Sequence, residues 1–108
     1  MFVNFHEVEE AILKNIHNGE KEVALRKVKL DKFSIMWGKL VPGASIGMHK
    51  HSDNCEILYI IKGTGKVIFD GEENSIGEGM CNYCPQGHQH TLINDSQDDL
   101  TFFAVVPD

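Results

Sequence analysis

Long apolar runs are missing from this 108-residue chain, and a membrane-spanning helix needs about 18 or more consecutive apolar residues. The start, Met1-Phe2-Val3-Asn4-Phe5-His6-Glu7, also lacks the basic residues and apolar core of a signal peptide. A cytoplasmic location is the resulting expectation. Cysteine is scarce: Cys55, Cys81 and Cys84 are an odd set without secretory context, which points to reduced thiols rather than a disulfide framework. The sequon Asn94-Asp95-Ser96 then carries no meaning. Basic residues are few as well, ten against sixteen acidic, for a formal charge of -6. Such a field repels phosphate backbones and anionic headgroups, so neither nucleic acid nor a membrane surface is an expected partner. Internal repeats, low-complexity tracts and Ser/Pro linkers are absent too, which leaves no second domain boundary.

What remains is an ordinary globular composition, 42% hydrophobic and 24% charged, in a chain long enough to bury a core without staples. In the first twenty residues Phe5, Val8, Ile12, Leu13 and Ile16 recur at helical spacing. Asn4 and Glu7 have the offset of a capping box, and Asn18-Gly19 supplies a stop. Residues 1–20 are therefore expected as a short N-terminal α-helix packed on the outside of a domain spanning 21–108. From Glu22 onward the pattern changes to short β-rich runs at 22–30, 33–41, 46–51, 56–62, 65–70, 74–76, 80–84, 90–94 and 99–106. Turn residues separate them, Asp70-Gly71 being the clearest hairpin signal. That cadence reads as an antiparallel sandwich or barrel.

The chemistry concentrates in two segments. In Gly47-Met48-His49-Lys50-His51 the two histidines are two apart, which on a strand puts both imidazoles on one face. Glu56 lies five beyond His51, an odd offset, but the turn-forming Ser52-Asp53-Asn54 can bend the chain and restore the facing. A carboxylate at the head of the run Ile57-Leu58-Tyr59-Ile60-Ile61 would cost several kcal/mol if buried uncompensated, and a metal ion would compensate it. His90, at the start of the strand after Pro85-Gln86-Gly87-His88-Gln89, can reach the same point if the two segments pair. Three imidazoles and one carboxylate suit one divalent first-row ion, Mn, Fe, Co, Ni, Cu or Zn, and not calcium.

These segments carry a resemblance. Gly43, five residues, His49, one residue, His51, four residues, Glu56, six residues and Gly63 resemble the first motif of the cupin family. Gly79, five residues, Pro85, one residue, Gly87, two residues, His90, three residues and Asn94 resemble the second. Both match at every defining position. The resemblance implies a double-stranded β-helix barrel, jelly-roll-like, of the small single-domain bacterial type, with a metal at its mouth held by His49, His51, Glu56 and His90. It also implies a homodimer, as does an apolar helix stripe too short to be stable unless docked. Cupins include oxygenases, isomerases, decarboxylases, storage proteins and sugar-binding regulators, so the fold does not choose the reaction.

The leading expectation is a metal-dependent enzyme of oxygenase or isomerase type acting on a small organic molecule. The rival is a non-catalytic small-molecule or sugar-binding module. No catalytic acid or base outside the ligand set can be named. Leu58 and Ile60, with Tyr83 or Phe103, are expected to wall the site, while Met36, Met48 and Trp37 read as core. His88 is expected as a solvent-facing turn residue, and His6 and His17 as surface positions of the N-terminal helix. Cys81-Asn82-Tyr83-Cys84 matches a CxxC, but on a strand its two thiols point to opposite faces. Two separate small hydrophobes are expected there.

Overall fold

The structure is a computed structural model that describes residues 1–107. Ten strands account for most of it: β1 (Ala11–Lys14), β2 (Glu22–Lys29), β3 (Phe33–Leu40), β4 (Ser45–Lys50), β5 (Glu56–Lys62), β6 (Thr64–Phe69), β7 (Glu72–Gly77), β8 (Cys81–Cys84), β9 (Gln89–Ile93) and β10 (Leu100–Pro107). Strands β2 to β10 fall on the nine runs read from the sequence. The loop Asp70-Gly71 joins β6 to β7 with both residues at positive φ, 49° and 82°. This is the two-residue turn whose twist suits a right-handed hairpin.

The strands divide between two antiparallel sheets, one ordered β1-β2-β3-β10-β5-β8 and the other β4-β9-β6-β7. The barrel expected from the resemblance is thus two open sheets, not one closed ladder. Their shared core draws Val23, Leu40, Leu58, Ile60, Leu100, Phe102 and Ala104 from the first sheet and Val67, Ile76 and Leu92 from the second. Alternation along β5 shows how the sequence builds it: Glu56, Leu58 and Ile60 are buried, whereas Ile57 and Tyr59 are exposed. In β3, Gly38 opposes Phe102, and a Cβ on Gly38 would overlap the Phe102 ring. A glycine inside the strand is what lets that aromatic lie flat across the sheet.

The N-terminal α-helix is not formed. Residues 5–7 make one 3-10 turn, with Asn4 accepting from the His6 N–H at 3.0 Å, and the chain is extended by Val8. Ala11–Lys14 then pairs with β2, Ala11 opposite Leu25 and Lys14 opposite Glu22. An isolated helix this short is marginal in water, whereas the open edge of β2 offers a ladder that satisfies the backbone groups of the segment. The β-branched Ile12 suits that strand. The start of the chain is held to the outer face of the large sheet by Arg26, which donates to the carbonyls of Phe5 (2.8 Å) and Val8 (3.3 Å). Phe5 packs there against Trp37 and Phe103, with centroids 5.9 and 6.0 Å away. No helix in the described residues is long and apolar enough to cross a membrane.

Candidate metal centre

Pairing of β4 with β9 puts His49 directly opposite His90. The register between these strands shifts between Ile46 and His49, an irregularity of the kind that re-aims side chains beside functional sites. His51 follows the end of β4, its backbone bonded to the loop before β9 through His51 N to His88 O (3.0 Å) and Gly87 N to His51 O (2.6 Å). The chain then turns through 52–55 and enters the other sheet at Glu56. Three imidazoles from the small sheet side thus meet one carboxylate from the large sheet, at one end of the core.

Distances within the group are short. Glu56 Oε1 lies 2.7 Å from His90 Nε2, 2.9 Å from His51 Nε2 and 3.5 Å from His49 Nε2. His90 Nε2 is 3.1 Å from the Nε2 of both His49 and His51. The four donor atoms all fall within 4.8 Å of one another. His90 is 2% exposed, and His51 and Glu56 are 9% each.

The opposite ring nitrogens explain why these atoms converge. His49 Nδ1–H donates to the Gly47 carbonyl at 2.9 Å, His51 Nδ1–H to Asn54 Oδ1 at 2.8 Å, and His90 Nδ1–H to Asn82 Oδ1 at 2.8 Å. With each proton committed to Nδ1, all three Nε2 lone pairs point at the carboxylate oxygen. Four lone pairs at such separations repel unless a cation sits among them. Ligand atoms about 2.1 Å from a common ion and at right angles lie about 3.0 Å apart, close to the separations found. The donor set therefore fits a divalent first-row transition metal. Without an ion the cluster is held instead by protons on Nε2: burial opposes ionisation of Glu56, but hydrogen bonds from His49, His51 and His90 in that state outweigh it and hold its carboxyl far below the usual carboxylate range. Glu56 in turn raises the pKa of His51, against the effect of burial.

Beside the cluster is a cavity of about 200 Å³. Its apolar wall includes Ile16, Val23, Leu25, Met36, Ile46, Phe102 and Val106, and none of Leu58, Ile60, Tyr83 or Phe103. Leu58 and Ile60 face inward but lie in the core, and Tyr83 is 56% exposed. Phe103 faces outward onto Phe5, because along β10 it is Phe102 that has inward parity. Trp37 shares that outer face, Met48 is exposed, and Met36 lines the cavity.

His17 is exposed, as expected, but on a 3-10 turn and not a helix, and its ring lies at the rim of the cavity, stacked on His49 with centroids 4.5 Å apart and planes 17° from parallel. Burial and the neighbouring His49 lower its pKa. His88 is exposed as expected, bonded to Asp70 and stacked on Phe69.

Asn54 and Asn82 were not identified from the sequence as supports of the site. The available signal was Asn82 itself, a polar residue sharing the inward parity of the buried Cys84. Replacing Asn82 by Leu removes the carbonyl that fixes the His90 tautomer while keeping the bulk. The expected result is a metal affinity about 10–100-fold weaker, measured by competition with a chromophoric chelator. Unchanged affinity would show that the Nδ1 anchor is unimportant.

The CxxC residues do separate, Cys81 exposed and Cys84 buried, and all three thiols are free. Burial pushes the Cys84 thiol up to about 11, so little thiolate is present at neutral pH. Iodoacetamide under native conditions should modify Cys81 and spare Cys84, with metal content unchanged by mass spectrometry and elemental analysis. Loss of metal on alkylation would implicate the thiols.

The comparisons with known proteins agree with this geometry. The family model described as a cupin domain matches residues 36–106. An oxalate-binding protein of Thermotoga maritima is 32% identical over 114 residues, 98% of this chain and 93% of its own length. A crystal structure of a predicted oxalate decarboxylase, also from Thermotoga maritima, superposes with a TM-score of 0.94 at 30% identity, covering 99% of this chain and 98% of that one. A sugar phosphate isomerase of the cupin superfamily from Silicibacter pomeroyi has a TM-score of 0.83 at 19% identity, over 100% of this chain and 76% of its own, a likeness of fold alone. By its two sheets, its His/Glu cluster and these matches, the chain belongs to the cupin family.

Proposed function

We propose that the protein uses one divalent transition metal, Mn, Fe, Co, Ni, Cu or Zn, held by His49, His51, Glu56 and His90, to bind and activate a small chelating organic acid. The observation that carries this reading is the convergence of three Nε2 atoms and one carboxylate oxygen, each Nδ1 being pinned by a carbonyl. When bound, the ion supplies Lewis-acid polarisation of a carboxylate or carbonyl oxygen. The chain's own residues supply the rest. Leu25, Met36, Ile46, Phe102 and Val106 exclude water from one side of the cluster, and a cavity of about 200 Å³ admits a molecule of only a few heavy atoms. The oxalate-binding relative at 32% identity supports an acid of that size.

Conversion by an oxygenase or isomerase type of reaction is favoured by one feature. Among the described residues His17 is the only titratable one outside the four-residue cluster that lines the cavity, so a group able to carry a proton faces the bound molecule. The test is to load the apo-protein with each of the six metals, then follow oxalate, keto acids, phenols, diols and sugars for binding by calorimetry and for dioxygen uptake or isomerisation. Metal-selective turnover that disappears in Glu56→Ala would support the enzyme. Binding with every metal and conversion with none would leave a binding module.

A homodimer is also proposed. Its support is the outer face of β5 and its neighbours: Ile57 (42% exposed), Tyr59 (42%) and Tyr83 (56%) form an uncharged patch on a chain of net charge -6. A second copy would cover it. Light scattering should give twice the chain mass, falling to the chain mass in Tyr59→Glu. A monomer at every concentration would contradict the dimer. The three free thiols support the cytoplasmic reading.

A further inference from the structure

Residues 15–21 form a strap across β4, and the two segments fit backbone to backbone. A Cβ on Gly47 would overlap the carbonyl of His17, and a Cβ on Gly19 would overlap the carbonyl of Ser45. Ser45 N donates to Glu20 O at 2.9 Å, and Glu20 N to Ser45 Oγ at 2.8 Å. The strap is also closed on itself, by Asn15 N to Lys21 O (2.8 Å) and Asn15 Nδ2 to Gly19 O (3.0 Å).

Backbone strain is concentrated there. Among the described residues five non-glycine residues have positive φ, and four of them are Asn15, His17, Asn18 and Lys21. His17, at φ 52° and ψ 36°, lies in the left-handed region, uncommon for residues with a side chain although Asn and His enter it more readily than most. Strain of this kind persists only where surrounding contacts impose it, and it concentrates at ligand clamps and active sites.

What the strained backbone achieves is the placement of one ring. The His17 imidazole lies flat on His49 and faces the cavity beside the His/Glu cluster. Both ring nitrogens of His49, His51 and His90 have polar partners. Neither ring nitrogen of His17 has a hydrogen-bond partner among the described residues. A neutral imidazole always retains one N–H donor, and His17, exposed on its outer side, carries that donor at the rim of the cavity beside the His/Glu cluster.

We infer that His17 is a ligand-contacting specificity residue, its N–H donating to an oxygen of the bound acid that is not engaged at the metal. This rests on the metal reading above and narrows the ligand class. The preferred ligand is a dicarboxylate or a hydroxy or keto acid that keeps a second oxygen beyond the chelating pair. The strap, through the Gly19 and Gly47 contacts, sets where that donor stands. A carboxylate acceptor makes the hydrogen bond charge-assisted, which strengthens it.

The test uses the metal-loaded protein and oxalate as probe, with metal content measured alongside oxalate affinity by calorimetry. His17→Phe keeps a flat ring on His49 and removes the donor. Its metal content should equal the parent's, while its oxalate affinity falls about 10–100-fold, the range of a lost hydrogen bond to a charged group. His17→Asn restores a donor and should recover part of the loss. Gly19→Ala displaces the strap and should weaken oxalate binding without loss of metal, and combined with His17→Phe it should add nothing further.

Equal oxalate affinity in His17→Phe and the parent overturns the inference, and so does a loss of metal in His17→Phe, which would make the ring a support for His49. Fully additive losses overturn the role of the strap. A parent protein that takes up metal but binds neither oxalate nor a related acid overturns the ligand class while leaving the metal site standing. A parent that takes up no metal overturns the reading on which all of this rests.

Discussion

Chelation of the metal-loaded protein is expected to lower its melting temperature by on the order of 20 °C. The unfolded chain binds the ion weakly, so free metal at a thousandfold its dissociation constant stabilises the fold by about 4 kcal/mol. In a domain of this size each kcal/mol is worth about 4–8 °C. The locus of the effect follows from the topology. His49 and His90 belong to the sheet of β4 and β9, whereas Glu56 opens β5 in the other sheet, so a bound ion ties the two sheets together at one end. In Glu56→Ala the metal-dependent part of the melting shift should vanish. A shift that survives in that variant would place the stabilising ion elsewhere.

Phe102→Ala is expected to destabilise the metal-free protein by about 3–5 kcal/mol, the cost of emptying a buried aromatic position. Phe102 is 2% exposed, lies across Gly38, and forms both the roof of the core and part of the cavity wall. Gly38→Ala attacks the same packing from below. Its methyl would overlap the Phe102 ring, which must then move, at about 1–3 kcal/mol for an overpacked site. Denaturant midpoints give both values. A loss under about 1 kcal/mol in Phe102→Ala would mean that the ring is not part of the core.

These predictions separate what was legible in the sequence from what was not. The strands from Glu22 onward were legible because alternation and turn chemistry agree locally. Asp70-Gly71 needs no tertiary information to specify a hairpin. The convergence of His49, His51, Glu56 and His90 was legible from strand spacing and turns together with the resemblance to the two cupin motifs.

The N-terminal segment was not legible. Phe5, Val8, Ile12, Leu13 and Ile16 have helical spacing, but whether a chain that short becomes helix or strand depends on the open edge of β2, which lies outside any local window. The place of His17 at the cavity rim was missed for the same reason, since it comes from positive φ values and a glycine contact with Gly47 across thirty positions of sequence. On β10 the adjacent Phe102 and Phe103 make parity ambiguous, and only pairing with Gly38 decides which ring turns inward. Asn54 and Asn82 became visible as supports once the rings they hold had orientations.

The measurement closest to the centre of this reading is the metal content of the purified protein by elemental analysis, after incubation with Mn(II), Fe(II), Co(II), Ni(II), Cu(II) or Zn(II) and removal of free ion. One equivalent per chain is expected for at least one of these metals, with loss in Glu56→Ala and in His90→Ala and retention after alkylation of the accessible thiols. Protein that retains none of the six ions, or that retains them equally well without Glu56 and His90, would contradict a metal centre at this site.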